Sequence, residues 1–187
     1  MSGLFIRKII HDVDREQMLK DLETVLSISP WSPTNQVGLT HRPGADNPWQ
    51  DAVGSLYDYE QQVLHSREAE YSEWNAQCPA YTRSIIEQVA AQNSAGIGRV
   101  RYMRLMPKTG LTVHRDAEYR LHYVLQTNPY SYVCNHMEHA ALCRHLPEDN
   151  SFHLVDTTQD HFVYNGGKTE RIHLVVCLTL PAPKVNS

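Results

Sequence analysis

The hydrophobic and polar positions of this chain change their period part-way along. Between Asp12 and Leu26, Val13, Met18, Leu19, Leu22, Val25 and Leu26 recur at helical spacing, and Asp12 is placed to cap the start. From Ala80 to Gln92 the same period returns at Ile85, Ile86, Val89 and Ala90, and stops at Asn93 and Gly96, a helix exit. Between these two predicted helices, residues 29–49 carry four prolines and predict loop, with at most a short strand around Val37 to Leu39. Residues 57–77 are polar and aromatic, with a weak periodicity that predicts helix in part. Trp31, Trp49 and Trp74 read as packing residues whose loops could form a lid.

After Gly98 the period shortens to two. VRYMRLM, LTVH, RLHYVLQT, YSYVCN, FHLVDT, HFVY and RIHLVVCLTL are β-branched or aromatic runs separated by Pro, Gly, Asn and Asp. They predict roughly seven or eight strands and an antiparallel sandwich or barrel of jelly-roll type, with the earlier helices buttressing one face. YNGGKTE, residues 164–170, reads as a hairpin turn, because Asn and Gly tolerate positive φ.

Composition narrows the classes. A chain of 187 residues with 41% hydrophobic and 20% charged positions is long enough for one domain with a sizeable core. A net charge of -4 and the lack of a Lys/Arg cluster argue against nucleic acid as a partner. MSGLFIRKII is too short and too charged for a signal peptide or membrane span, so a cytoplasmic protein without a membrane partner is expected. Cys78, Cys134, Cys143 and Cys177 follow no secreted-scaffold pattern and are expected as reduced, mostly packed thiols.

The candidate chemistry lies in TVHRDAEYRLH, residues 112–122. Period two on a strand sets His114 with Asp116, and Arg120 with His122, on shared faces. If the 164–170 turn is centred near Gly166, His161 lies opposite Arg171 across a hairpin and shares its face. His114, Asp116 and His161 then supply two imidazoles and a carboxylate, a facial triad for non-haem Fe(II) that leaves positions open for a co-substrate and O2. Arg171 suits a carboxylate clamp, as for the far end of 2-oxoglutarate. Asn165 and His173 are explained as well by turn chemistry and packing as by a place in the pocket. Taken from the residues alone, Arg120 reads as a surface salt bridge and His122 as a core histidine.

RLMPKTGLTVHRDAEYRLHYVLQTNP, followed by VDTTQDHFVYNGGKTERIHLVV, resembles the aspartyl/asparaginyl β-hydroxylase family of Fe(II)/2-oxoglutarate-dependent oxygenases, over about residues 98–180. The resemblance implies a double-stranded β-helix, a cupin-like jelly roll, in a mainly β, α+β chain. It also implies one oxygenase domain over residues 1–187, with a helical and loop region at 1–97 and the jelly-roll core at 98–182. By the same likeness His114, Asp116 and His161 hold iron, Arg171 binds the far carboxylate of 2-oxoglutarate, and Arg120 with His122 help hold the co-substrate. Asp116 completes the triad and leaves no ligand place for a halide, which favours hydroxylation over halogenation. The expected substrate is an amino acid, free or in a peptide or protein side chain.

Other readings stay open at this stage. A cupin-type iron dioxygenase that does not use 2-oxoglutarate would keep the triad and give Arg171 to its own acidic substrate. A non-catalytic metal-binding jelly-roll module is a further class, since fold alone does not fix function. CNHMEHAALCRH, residues 134–145, gathers Cys134, His136, His139, Cys143 and His145, yet its spacing matches no zinc pattern and reads better as strand and loop.

Overall fold

The structure, a computed structural model, describes residues 5–58 and 60–179. Its first half holds β1 (Ile6–Ile9), α1 (Arg15–Ile28), β2 (Gln36–Gly38), β3 (Thr40–His41), α2 (Pro48–Asp51), β4 (Tyr57–Asp58), β5 (Val63–Leu64), a 3₁₀ turn at Glu68–Glu70, β6 (Glu73–Trp74) and α3 (Ala80–Gln92). The second half is all strand: β7 (Gly96–Leu105), β8 (Thr109–His114), β9 (Tyr119–Gln126), β10 (Ser131–Met137), β11 (Ala140–Arg144), β12 (Phe152–Val155), β13 (His161–Asn165) and β14 (Arg171–Thr179). The expected core continues to residue 182, and its last three positions lie outside the described residues.

A six-stranded antiparallel sheet, ordered β1-β12-β9-β14-β7-β2, faces a four-stranded one ordered β11-β10-β13-β8. This is the jelly roll expected from the period-two runs. Strand β14 is buried along nearly its whole length because it is central in the large sheet and covered on both faces. Leu174, Val176 and Leu178 pack with Met18, Leu22 and Val25 of α1 and Ile85, Ile86 and Val89 of α3 in one apolar layer. The alternate positions turn inward between the sheets, where Phe5, Val124, Val133, Leu146, Val155 and Val163 form a second core.

Helices α1 and α3 begin where side-chain oxygens meet their free N–H groups. Asp14, and not the expected Asp12, caps α1, and its carboxylate accepts from Gln17 N–H. Helix α3 runs over the predicted residues, but its N-cap Pro79 offers no side-chain acceptor. Asp21 of α1 supplies one instead, accepting from Thr82 N–H at 3.0 Å and its hydroxyl at 2.7 Å. The described residues of 57–77 hold no α-helix. They form the β4–β5 ladder, the 3₁₀ turn and β6, which pairs with β3.

Two further expectations are corrected. Residues 164–170 are not a hairpin turn: β13 pairs with β10 and β8 in the small sheet, while β14 pairs with β7 and β9 in the large one. The segment is a crossover between sheets. Asn165 organises it, accepting from Gly167 N–H and donating to the carbonyls of Leu105 and Thr169. Of the cysteines expected as thiols, Cys134 and Cys143 form a disulfide, because the β10–β11 pairing sets them directly opposite each other. Cys78 and Cys177 are free, and burial pushes the Cys78 thiol up to about 12, which keeps it protonated. No described helix is long and apolar enough to cross a membrane.

Candidate metal and anion site

Strands β8 and β13 are neighbours in the small sheet, and their register pairs His114 directly with His161. The two rings lie 4.3 Å apart, centre to centre. Asp116 lies two residues beyond the end of β8, so period two along a strand is not what brings it to the histidines. Its backbone N–H donates to Thr157 O at 2.9 Å, which fixes the turn that points the chain back. One ligand atom from each of the three residues then falls within 4.8 Å of the other two.

The hydrogen bonds around these side chains leave lone pairs facing inward. His114 Nδ1 sits 2.7 Å from Thr112 O and His161 Nδ1 sits 2.9 Å from Gln159 O. A carbonyl only accepts, so each Nδ1 carries the proton and each Nε2 presents a lone pair. Asp116 Oδ2 is buried without a hydrogen-bond partner among the described residues, 3.4 Å from His161 Nε2. Three lone-pair atoms converging with no proton between them fit a divalent cation.

Electrostatics keep the carboxylate charged. Burial pushes Asp116 up, but the Arg120 guanidinium and the two histidines outweigh it and hold the group at about 2. Arg120 Nη2 donates to Asp116 Oδ1 at 2.6 Å, and this leaves Oδ2 as the open oxygen. Burial lowers the His114 pKa, which favours the neutral imidazole that a metal requires.

The other expected residues meet two of these three in one chamber. His114, Arg120, His122, His161 and Arg171 all line the same hollow. Its walls between them are apolar, with Leu105, Leu111, Val133, Val163 and Val175 among them. His161 and Arg171 share this chamber from opposite sheets, not as partners across a hairpin.

Arg171 is 5% exposed and has no carboxylate partner among the described residues. Its neighbours are the two ring nitrogens of His173, at 3.1 and 2.9 Å. A neutral imidazole offers a single lone pair, so the guanidinium keeps donors to spare. Burial lowers its pKa to about 10, which still leaves it cationic at neutral pH. His122 Nδ1 lies 3.3 Å from His173 Nδ1, and burial, followed by the charge of Arg171, holds both rings well below their usual value. A buried cation beside two neutral imidazoles is a seat for an anion.

Sequence reasoning missed Glu68, Arg99 and Arg101. The last two alternate with Val100 and Tyr102 along β7, a pattern that ordinarily marks a solvated face but here marks the sandwich interior. Glu68 lies in the 3₁₀ turn and had no motif to announce it. The 134–145 cluster forms no metal site: Cys134 and Cys143 are bridged to each other, and His114, Asp116 and His161 form the one ligand group among the described residues.

No curated protein matches this chain. Among solved structures, the 2-oxoglutarate complex of a viral collagen prolyl hydroxylase from Paramecium Bursaria Chlorella virus-1 has a TM-score of 0.59 at 10% identity, over 96% of this chain and 98% of that one. An oxidoreductase of the 2OG-Fe(II) oxygenase family from Burkholderia pseudomallei gives 0.53 at 13% identity, covering 87% and 78%. SnoK, a non-heme alpha ketoglutarate dependent carbocyclase from nogalamycin biosynthesis, gives 0.54 at 12%, covering 97% and 84%. At such identities the likeness is one of fold, the jelly roll of these oxygenases. With the family it indicates a hydroxylase of the 2OG-Fe(II) oxygenase type. The Aspartyl/Asparaginyl beta-hydroxylase family model matches residues 14–181, nearly the whole described fold, and the chain therefore belongs to the aspartyl/asparaginyl β-hydroxylase family.

Proposed function

We propose that this protein is an Fe(II)- and 2-oxoglutarate-dependent dioxygenase that hydroxylates an unactivated C–H bond of an amino acid, free or in a peptide or protein side chain. The observation that carries the reading is that, among the described residues, Asp116 Oδ2 beside His114 and His161 has no hydrogen-bond partner and the buried Arg171 guanidinium has no carboxylate partner, while both histidines and Arg171 line one chamber.

His114 Nε2, His161 Nε2 and Asp116 Oδ2 would hold Fe(II), and the Thr112 and Gln159 carbonyls would keep both imidazoles in the ligating tautomer. Arg171 would take the far carboxylate of 2-oxoglutarate, in a site too dry for water to compete strongly. Arg120, whose Nε has no partner among the described residues, and His122 would complete the wall around the co-substrate. With iron, 2-oxoglutarate and O2 bound, the chemistry supplied is decarboxylation of 2-oxoglutarate to succinate and CO2, coupled to insertion of one oxygen atom into the substrate C–H bond. The chain's own work is to orient the co-substrate by its two ends and to exclude water with the valine and leucine walls.

The test is anaerobic addition of Fe(II) and 2-oxoglutarate to wild type and to Arg171→Ala, followed by the visible charge-transfer band of chelated co-substrate. A band in wild type that is largely lost in the variant is expected. No band in iron-loaded wild type overturns the use of 2-oxoglutarate and returns the weight to an iron dioxygenase with an acidic substrate of its own.

A further inference from the structure

The carboxylate of Asp116 is steered by a residue from the other half of the chain. Glu68, in the 3₁₀ turn, is 7% exposed and sits between two arginines of the large sheet. Its Oε2 accepts from Arg99 Nε at 2.8 Å, and its Oε1 accepts from Arg99 Nη2 at 2.9 Å and from Arg120 Nη2 at 3.2 Å. Arg120 Nη2 is the same nitrogen that donates to Asp116 Oδ1. A guanidinium nitrogen of this type carries two hydrogens, so one points to each carboxylate.

The turn lies close against the sheet. A side chain at Gly98 would put its Cβ 2.5 Å from Glu68 O, so only glycine lets the Glu68 backbone approach β7 this closely. Arg99 Nη1 also donates to Gly54 O at 3.0 Å, which ties the preceding loop to the same point. Glu68 is thus a fixed anion against which Arg120 is aligned.

We infer that Glu68 is a positioning residue for the metal carboxylate: by sharing Arg120 Nη2 with Asp116, it sets Oδ1 in place and leaves Oδ2 turned toward His114 and His161. This rests on the reading of that trio as a metal site. Without the charge of Glu68, Asp116 becomes the one carboxylate paired with Arg120, whose guanidinium then closes on it and competes with a cation for its electrons. The loss falls on metal affinity, while the Arg171 seat for the co-substrate is left as it was.

The test titrates Mn(II) into metal-free wild type, Glu68→Gln, Glu68→Asp and Glu87→Gln, the last removing an exposed charge on α3. N-oxalylglycine affinity is then measured at saturating Mn(II), with far-UV circular dichroism as the check on folding. Expected is a rise in the Mn(II) Kd of about tenfold for E68Q, a smaller rise for E68D, no change for E87Q, and an N-oxalylglycine Kd that moves far less than the Mn(II) Kd in every variant. If E68Q does not fold, E68D carries the test. A folded Glu68 variant with the wild-type Mn(II) Kd, or one that loses N-oxalylglycine in the same proportion, overturns the inference. Failure of wild type itself to bind Mn(II) overturns the metal-site reading instead.

Discussion

Asp116 and Arg120 form a partly buried ion pair at 2.6 Å that spans the corner between β8 and β9. The pair divides the carboxylate, since Oδ1 belongs to Arg120 and Oδ2 has no hydrogen-bond partner among the described residues. Asp116→Asn keeps the shape and removes the charge, so its effect should fall on the cation. The expected outcome is a metal Kd raised at least about 100-fold, beyond the usual effect of outer residues that merely support a ligand. Isothermal titration with Mn(II) measures it, and an unaltered Kd would place the metal elsewhere.

Arg171 presents the opposite case, a buried charge with no counter-ion among the described residues. Arg171→Met removes the desolvation cost while filling similar volume. The metal-free, co-substrate-free protein should therefore melt higher, by roughly 2–8 °C, the equivalent of about 1–2 kcal/mol in a domain of this size. Affinity for 2-oxoglutarate should fall about 100-fold or more. A variant that melts lower and still binds 2-oxoglutarate would show Arg171 to be a packing residue.

His122 and His173 give the apo protein a pH dependence with a definite sign. Burial holds both imidazoles neutral in the fold, helped by the Arg171 charge, while the unfolded chain takes up protons below about pH 6.5. Folded pKa values depressed below the unfolded ones mean that stability is full above that pH and is lost as the pH falls. Each histidine contributes a slope of up to about 1.4 kcal/mol per pH unit. Urea midpoints of metal-free protein at pH 7.5 and 5.5 test this, and equal midpoints would contradict it.

Asn165 closes the crossover between β13 and β14 and has no exposed surface. Asn165→Ala removes the acceptor of the Gly167 N–H and of Asn128 Nδ2 and the side-chain donor to the Leu105 and Thr169 carbonyls, of which Thr169 keeps Asn128 Nδ2. A loss of about 3 kcal/mol or more in chemical denaturation is expected, with weaker 2-oxoglutarate binding because Arg171 opens β14 just beyond the crossover. A loss below about 1 kcal/mol would mean that water replaces the amide.

Much of this was legible along the chain. Helical spacing at Ile85, Ile86 and Val89 located α3 to the residue, and the seven period-two runs after Gly98 announced every strand of the second half but β11, because local periodicity is what a buried face imposes on its own element. His114, Asp116, His161 and Arg171 could be picked out by residue type and order, since ligating an ion and clamping a carboxylate admit few side chains.

Which strand lies beside which was beyond local pattern. A turn that tolerates positive φ looks alike whether its strands pair or part, so YNGGKTE read as a hairpin when its two strands enter different sheets. Cys134 meets Cys143 through the register of β10 and β11, and Glu68 meets Arg99 and Arg120 through the docking of a 3₁₀ turn on Gly98. The sequence by itself determined which groups are present and the period of each element. Only tertiary packing decided which charges are buried together, because an ion pair's partner and its desolvation depend on distances through space that no spacing along the chain encodes.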